Sequence, residues 1–174
     1  ELLSGTFPDD LLRAQVSAGY ETSYFIKDDG TLWQWGRNHD FVVDQSIYYE
    51  DEWPVEMMPG TTWRTVDAGR SHVLAIRSDG TLWAWGGAFA FLVNKYGEFG
   101  VGDKVAHDVP VQIGTDIDWA FISVGDGSSM AIKTDGSMWL WGNNATGSLG
   151  LGDSDEHLVP AQLGTHSDWV SGDI

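Results

Sequence analysis

The hydrophobic pattern of this chain consists of short runs that glycine and aspartate interrupt. The run 72–77 is apolar, Asp79-Gly80 follows it, and a second apolar run at 82–85 ends at Gly86. Glycine tolerates the positive φ of tight hairpin turns, and aromatic residues pack well on a pleated surface. The stretch therefore predicts a β-hairpin. No window has a sustained period of 3.6 residues, so helices are expected to be scarce.

The predicted hairpin occurs three times, at 29–36, 79–86 and 135–142. Its first tryptophan recurs after 50 and then 56 residues. A second series of tryptophans lies nine residues after a series of prolines, in the pairs Pro54 and Trp63, Pro110 and Trp119, and Pro160 and Trp169. The proline and the tryptophan of each pair mark two more predicted strands per repeat. A four-stranded antiparallel unit that repeats at this length is typical of a β-propeller blade.

Two motifs resemble the regulator of chromosome condensation repeat family. One is Trp63-x-x-Val66-x-x-Gly69-x-x-His72-x-x-Ala75-Ile76 followed by Asp79-Gly80-Thr81-Leu82-Trp83-x-Trp85-Gly86, and the other is the glycine loop at 97–103 and 147–153. The resemblance implies a propeller, usually of seven blades, that presents loops to a partner. Members of that family include an exchange factor for a small GTPase, a plant ultraviolet-B photoreceptor and a bacterial β-lactamase inhibitory protein.

The predicted fold class is all-β: three four-stranded blades and a partial fourth, forming an incomplete ring. One domain, 1–174, is divided into units 1–53, 54–109, 110–158 and the start of a fourth at 159–174, each opening with the proline-bearing strand or its degenerate copy. Propellers typically need 4 to 8 blades. We therefore expect further blades from a longer protein, or other copies, to complete the disc, and the isolated chain not to be a stable monomer.

Composition restricts the function classes. The chain is tryptophan-rich and its formal net charge is −17, which argues against nucleic-acid and anionic-membrane partners, since those need clustered Lys and Arg. The absence of cysteine excludes disulfides and thiolate chemistry, and no apolar run has the length of a membrane helix. No cofactor is predicted. Calcium is compatible with the abundant carboxylates, but no site is assigned.

No catalytic constellation emerges from the spacing of the ionisable residues. His72 is interpreted as a packed, hydrogen-bonded residue, because the other repeats have Thr22 and Ser128 in its place. Asp103 and Asp153 are expected to bond the backbone of their own turns. The repeated tryptophans indicate blade packing. We therefore predict a protein that is not an enzyme.

Stretches that depart from the repeat say more about function than the recurring positions do, because every blade needs the recurring positions for its own structure. The stretch 37–53 loses the glycine loop, and six extra residues at 88–93 interrupt the second repeat. Both occupy the connection between a hairpin and the next proline-bearing strand, so they are expected to lie close together. The predicted contact residues are Phe41, Val42, Val43, Ile47, Tyr48, Tyr49, Trp53, Phe89, Phe91, Leu92 and Val93.

The function favoured by these patterns is protein–protein binding or assembly, with a protein partner or a further copy as ligand. The resemblance to exported bacterial repeat proteins favours a secreted or cell-surface location, with the cytoplasm as the alternative. Two other functions stay open: a regulator of a small GTPase that resembles the exchange factors, and a carbohydrate-binding propeller using Trp53, Tyr48 and Tyr49 as platforms.

Overall fold

The computed structural model describes residues 15–40, 47–86 and 94–174. Within these ranges the regular structure consists of strands, with no α-helix. The strands are β1 (Gln15–Ala18), β2 (Thr22–Ile26), β3 (Leu32–Asp40), β4 (Ile47–Met57), β5 (Trp63–Ala68), β6 (Val73–Arg77), β7 (Leu82–Trp85), β8 (Val111–Gln112), β9 (Trp119–Val124), β10 (Ser128–Lys133), β11 (Met138–Gly142) and β12 (His157–Gln162). Consequently, no helix of the described chain is long and apolar enough to cross a membrane.

The strands form three antiparallel sheets of four, in the orders β1-β2-β3-β4, β5-β6-β7-β8 and β9-β10-β11-β12. The predicted all-β fold with three four-stranded blades is confirmed. The second and third sheets begin with the tryptophan-series strand, whose place β1 takes in the first sheet. Each sheet ends with the proline-bearing strand, which pairs with the preceding hairpin. The sequence units that open at Pro54 and Pro110 therefore begin one strand before the second and third sheets.

The first blade has a longer outer hairpin than the other two. β3 spans nine residues and β4 eleven, and their pairing extends from Leu32↔Met57 to Asp40↔Ile47. The sequence had indicated an irregular loop over the whole of 37–53. That expectation is wrong for 37–40 and 47–53, where the absence of the glycine motif allows the ladder to continue beyond Gly36.

Each hairpin turn is closed by the same chain of side-chain hydrogen bonds. The Asp79 carboxylate accepts from the amide of Thr81 at 3.0 Å and from its hydroxyl at 2.6 Å, and that hydroxyl oxygen accepts from Trp83 Nε1 at 2.8 Å. The Thr81 side-chain and backbone hydrogen bonds hold the pKa of Asp79 below its usual value. The first and third hairpins repeat this arrangement. The turn requires Gly80 because its φ is +86° and a Cβ would lie 1.9 Å from the carbonyl oxygen of Ile117.

The core consists of apolar layers between adjacent blades. Successive residues of β6 contribute to different layers: Ala75 packs with Tyr24 and Ile26 of the first blade, whereas Leu74 and Ile76 pack with residues of the third. A third layer lies outside the third blade, where the segment 163–174 covers β10 and β11. The Trp169 amide donates to the Gly136 carbonyl, as the Trp119 amide does to the Gly80 carbonyl. The segment after β12 therefore follows the same course as the segment that leads into the third blade.

The innermost strands are joined through one carboxylate. Asp67 Oδ1 accepts from the Ser17 hydroxyl on the first blade at 3.0 Å and from the amide of Ala68 at 3.1 Å. Its Oδ2 accepts from the Val124 amide on the third blade at 2.8 Å. One side chain of the second blade thus contacts both neighbouring blades.

Candidate protein-contact surface

Among the residues that the structure describes, one face of the first blade lacks the cover that the corresponding faces of the other two blades have. Val16 is 66% exposed, whereas Val66 and Ile122, which occupy the same position on the second and third blades, are each 5% exposed. Those two are covered by the preceding blade. We call the uncovered surface formed by Val16, Phe25, Lys27, Trp33, Trp35, Trp53 and Pro54 the first-blade face.

The first-blade face contains an aromatic pocket of about 530 Å³, lined by all of these residues except Val16. Phe25 and Trp33 are paired across β2 and β3, and Trp53 and Pro54 come from β4. Trp53 is 79% exposed at the rim. The lining is apolar apart from Lys27, and large exposed apolar surfaces of this kind are typical of contact sites.

The one cation among the described lining residues, Lys27, is held against an indole. Lys27 Nζ lies 3.5 Å from the centre of the Trp33 ring. The equivalent cations of the other blades each contact two indoles: Arg77 lies over Trp63 and Trp83, and Lys133 lies over Trp119 and Trp139. In the first repeat, Arg13 stands in the place of Trp63 and Trp119. The Lys27 side chain therefore extends the apolar surface, and its ammonium group lies at the edge of the pocket in a cation–π contact with Trp33.

A change of residue size distinguishes the first-blade face from the two buried ones. Phe25 occupies the place of Ala75 and Ala131, as shown by their pairing with Trp33, Trp83 and Trp139. Both alanines are completely buried. A surface that fitted those alanines closely would collide with Phe25, because packed interiors have no spare volume for a ring.

The predicted contact residues are only partly within the described structure. Trp53 lies on the first-blade face. Ile47, Tyr48 and Tyr49 belong to β4, where their backbones pair with Asp40, His39 and Asn38. Phe41, Val42, Val43, Phe89, Phe91, Leu92 and Val93 lie outside the described residues, so their predicted proximity to one another stays a prediction.

Lys27, Phe25, Trp33 and Trp35 were missed because sequence reasoning assigned the repeated tryptophans to packing. That assignment is correct for Trp85 and Trp141, which are almost fully buried. The available signal was the pair of deviations within the first repeat, Phe25 in place of alanine and Arg13 in place of tryptophan.

The glycine loops of the second and third blades are built alike. Asn94 and Asn144 are buried, and each accepts a hydrogen bond from the backbone amide five residues later, at 3.0 Å. Asp103 and Asp153 accept from the amides of Val105 and Asp155, so their predicted role in their own turns is confirmed. A hydrogen bond from His157 holds the pKa of Asp153 below its usual value.

His72 is also structural, as predicted. It is buried between the second and third blades, and its Nε2 lies 2.7 Å from the Ser129 hydroxyl. Burial lowers its pKa from 6.5 to about 3, so the ring is neutral at ordinary pH. Within the described ranges, no group of three or more His, Asp or Glu side chains is arranged to hold a metal ion.

A second concavity, of about 510 Å³, lies along the innermost strands. Its polar groups bond one another, since Gln15 accepts from the Val66 amide and Ser123 donates to Asp173. The guanidinium of Arg64 donates to the carbonyl of Trp119. This groove is therefore a seam of contacts between blades, and the first-blade face is the better candidate for binding.

Three propeller blades of this construction define a class of repeat protein, and sequence comparison identifies the family. The sequence model described as "Regulator of chromosome condensation (RCC1) repeat" matches residues 14–41 and 63–88, and a second model of that description matches 135–171. The chain belongs to the RCC1 repeat family.

Similarity to individual proteins covers only part of their length. The chain is 28% identical over 134 residues to the RCC1 domain-containing protein RUG3, mitochondrial, of Arabidopsis thaliana, which is 75% of this chain and 29% of that protein. It superposes on human WBSCR16 with a TM-score of 0.68 and 22% identity, over 86% of this chain and 38% of that one. For Prp20p of Saccharomyces cerevisiae the TM-score is 0.64 and the identity 21%, over 85% and 37%. The chain thus spans roughly a third of these relatives, and the structural likeness shows the fold.

Proposed function

We propose that this chain is a non-enzymatic protein-binding module and that the first-blade face, together with the stretches 37–53 and 88–93 that depart from the repeat, is its contact surface. The observation that carries the proposal is the aromatic pocket with Trp53 at its rim. Tryptophan is enriched among the residues that dominate binding energy at interfaces, where it fills apolar pockets from which water is excluded. The solved structure of Prp20 with Kap60 is consistent with protein partners in this family.

A photo-crosslinking experiment tests this proposal in the full-length protein. Benzoylphenylalanine is placed at position 53 or, as a control, at position 109, since Val109 precedes Pro110 as Trp53 precedes Pro54 and is similarly exposed. We expect one defined protein adduct at position 53 and none at 109. Equal labelling at both positions, or no adduct, would contradict the proposal.

Purified components then give the affinity. Trp53→Ser should weaken binding of the crosslinked partner by about 30-fold, which corresponds to roughly 2 kcal/mol for a tryptophan that the partner buries. Val109→Ser should leave the affinity unchanged. If Trp53→Ser also leaves it unchanged, the partner contacts another surface.

The GTPase function is tested separately, because Prp20p has been studied with Gsp1p and histones and shares the propeller fold with this chain. The assay is release of fluorescent GDP from a panel of small GTPases. Acceleration that Trp53→Ser does not alter would favour a regulator acting through another surface. Carbohydrate binding is less supported, because Lys27 is the only charged group among the described residues that line the pocket, and sugars need several hydrogen-bonding partners.

A further inference from the structure

In the described part of the chain, the junction between the second and third blades contains a buried carboxyl group that forms no ion pair. Glu98 is 0% exposed, although it lies in a glycine loop whose equivalent residue in the next repeat is the exposed Ser148. Its Oε2 accepts from the Tyr96 amide at 2.8 Å, and its Oε1 has no hydrogen-bond partner. No ion pair joins Glu98 to any residue in the described parts of the chain. A carboxylate in such a place is costly unless it takes up a proton.

The backbone of Glu98 holds the two blades together. Its carbonyl oxygen accepts from the Ser129 hydroxyl and from Trp141 Nε1, both at 2.8 Å. The Ser129 hydroxyl has one proton and donates it to Glu98, so His72 must donate from Nε2 to Ser129. Nδ1 of His72 is then an acceptor, and it too is buried without a partner. His72 is therefore neutral and provides no charge to balance a Glu98 carboxylate.

The ionisable groups on the elements packed around this junction do not compensate either. The third-blade side chains that bond to Glu98, Ser129 and Trp141, are neutral. Lys95 lies over the Tyr96 ring at 4.9 Å. The ionisable groups concerned are His72 from the second blade, His107 beyond the loop, and Lys95, Tyr96 and Asp103 within it.

We propose that Glu98 is a pH-sensitive anchor: its protonated carboxyl allows the loop 94–103 to dock in the junction between the second and third blades, and its ionisation loosens that loop. Burial raises the pKa of Glu98 above 4.5, although the nearby backbone amides of Glu98, Tyr96, Asn94 and Lys95 oppose the shift. The folded state therefore retains a proton that the unfolded chain has lost. The contribution of this carboxyl group to stability is fully present below pH 4.5 and is lost as the pH rises through the folded-state pKa of Glu98.

Thermal unfolding of wild type and Glu98→Gln between pH 4 and 9 measures this linkage. Because His72 titrates in both proteins, the difference between their Tm values isolates Glu98. That difference should grow in favour of Glu98→Gln as pH rises, by roughly 3–5 °C per pH unit at its steepest, and then level off. Asp108→Asn, an exposed site with the same change of charge, should give a constant difference. A constant difference for Glu98→Gln would overturn the proposal.

Hydrogen exchange on the wild-type protein gives a local measurement that does not require the variant to fold. The Phe99 amide in the anchored loop and the Leu149 amide in the following blade are bonded alike, each to an asparagine side chain at 3.0 Å. After correction for intrinsic rates, protection of Phe99 should fall by up to about tenfold per pH unit in the window while that of Leu149 stays constant. Parallel behaviour of the two amides would show that Glu98 does not control the loop.

Discussion

Replacement of Asp67 by alanine tests whether the innermost strands are joined as the structure shows. The change removes the acceptors for the Ser17 hydroxyl and for the Val124 amide, and so severs both contacts between this side chain and neighbouring blades. A hydrogen bond to a charged group contributes about 1.5–3 kcal/mol, and one to a neutral group about 0.5–1.5 kcal/mol. Since Asp67 is only half-buried, we discount these values and expect a total loss of about 2–4 kcal/mol.

The measurement is urea unfolding followed by tryptophan fluorescence, with Asp67→Ala, Ser17→Ala and the double variant compared in one cycle. Ser17→Ala should cost about 0.5–1.5 kcal/mol, and the coupling between the two changes should be of similar size. Asp108→Ala is the control, because Asp108 is exposed and should cost less than about 0.5 kcal/mol. If Asp67→Ala costs no more than that control, the carboxylate does not join the blades.

Three further predictions concern the turns, the buried histidine and assembly. Gly80→Ala should destabilise by several kcal/mol more than Gly60→Ala in urea unfolding, because both have a φ near +85° but only the first would place a Cβ against a neighbouring backbone; equal losses would refute the steric account. His72 should reduce stability as pH falls from 6.5 towards 3, since the unfolded chain takes up a proton that the folded ring refuses. His72→Gln should flatten that part of the pH profile, and an unchanged slope would assign it to other groups. Sedimentation at micromolar concentration should show that the isolated chain is not a compact monomer, and a single cooperatively melting monomer would contradict this.

The sequence predicted the scaffold because each structural requirement recurs in every repeat. Asp79, Gly80 and Trp83 were identifiable as a turn and a packed strand since the same residues close three hairpins. Repetition could not show to which neighbour the proline-bearing strand belongs, because its hydrogen bonds to the preceding hairpin have no residue signature. It also could not show that Gly36 is followed by a continued ladder, since the loss of a loop motif is compatible with many conformations.

The candidate surface was only partly predictable for a related reason. Trp53 stood out because it is the one tryptophan off the repeat. Trp33 and Trp35 did not, because their sequence context is the same in all three repeats, and only the structure shows that Trp35 is half-buried where Trp85 and Trp141 are buried. Phe25 in place of alanine and Arg13 in place of tryptophan mark this blade as different, and such changes can be interpreted only once the layers between blades are known.

That phenylalanine also bears on how copies of this chain can associate. Identical modules that join head to tail through interchangeable faces propagate without limit unless the geometry closes a ring. Here the first-blade face differs in shape from the equivalent faces of the second and third blades, because the phenyl ring of Phe25 replaces the methyl groups of Ala75 and Ala131. A blade or a second copy that packs against the first-blade face must therefore leave room for a phenyl ring, whereas the contacts between the blades described here accommodate only a methyl group at that place.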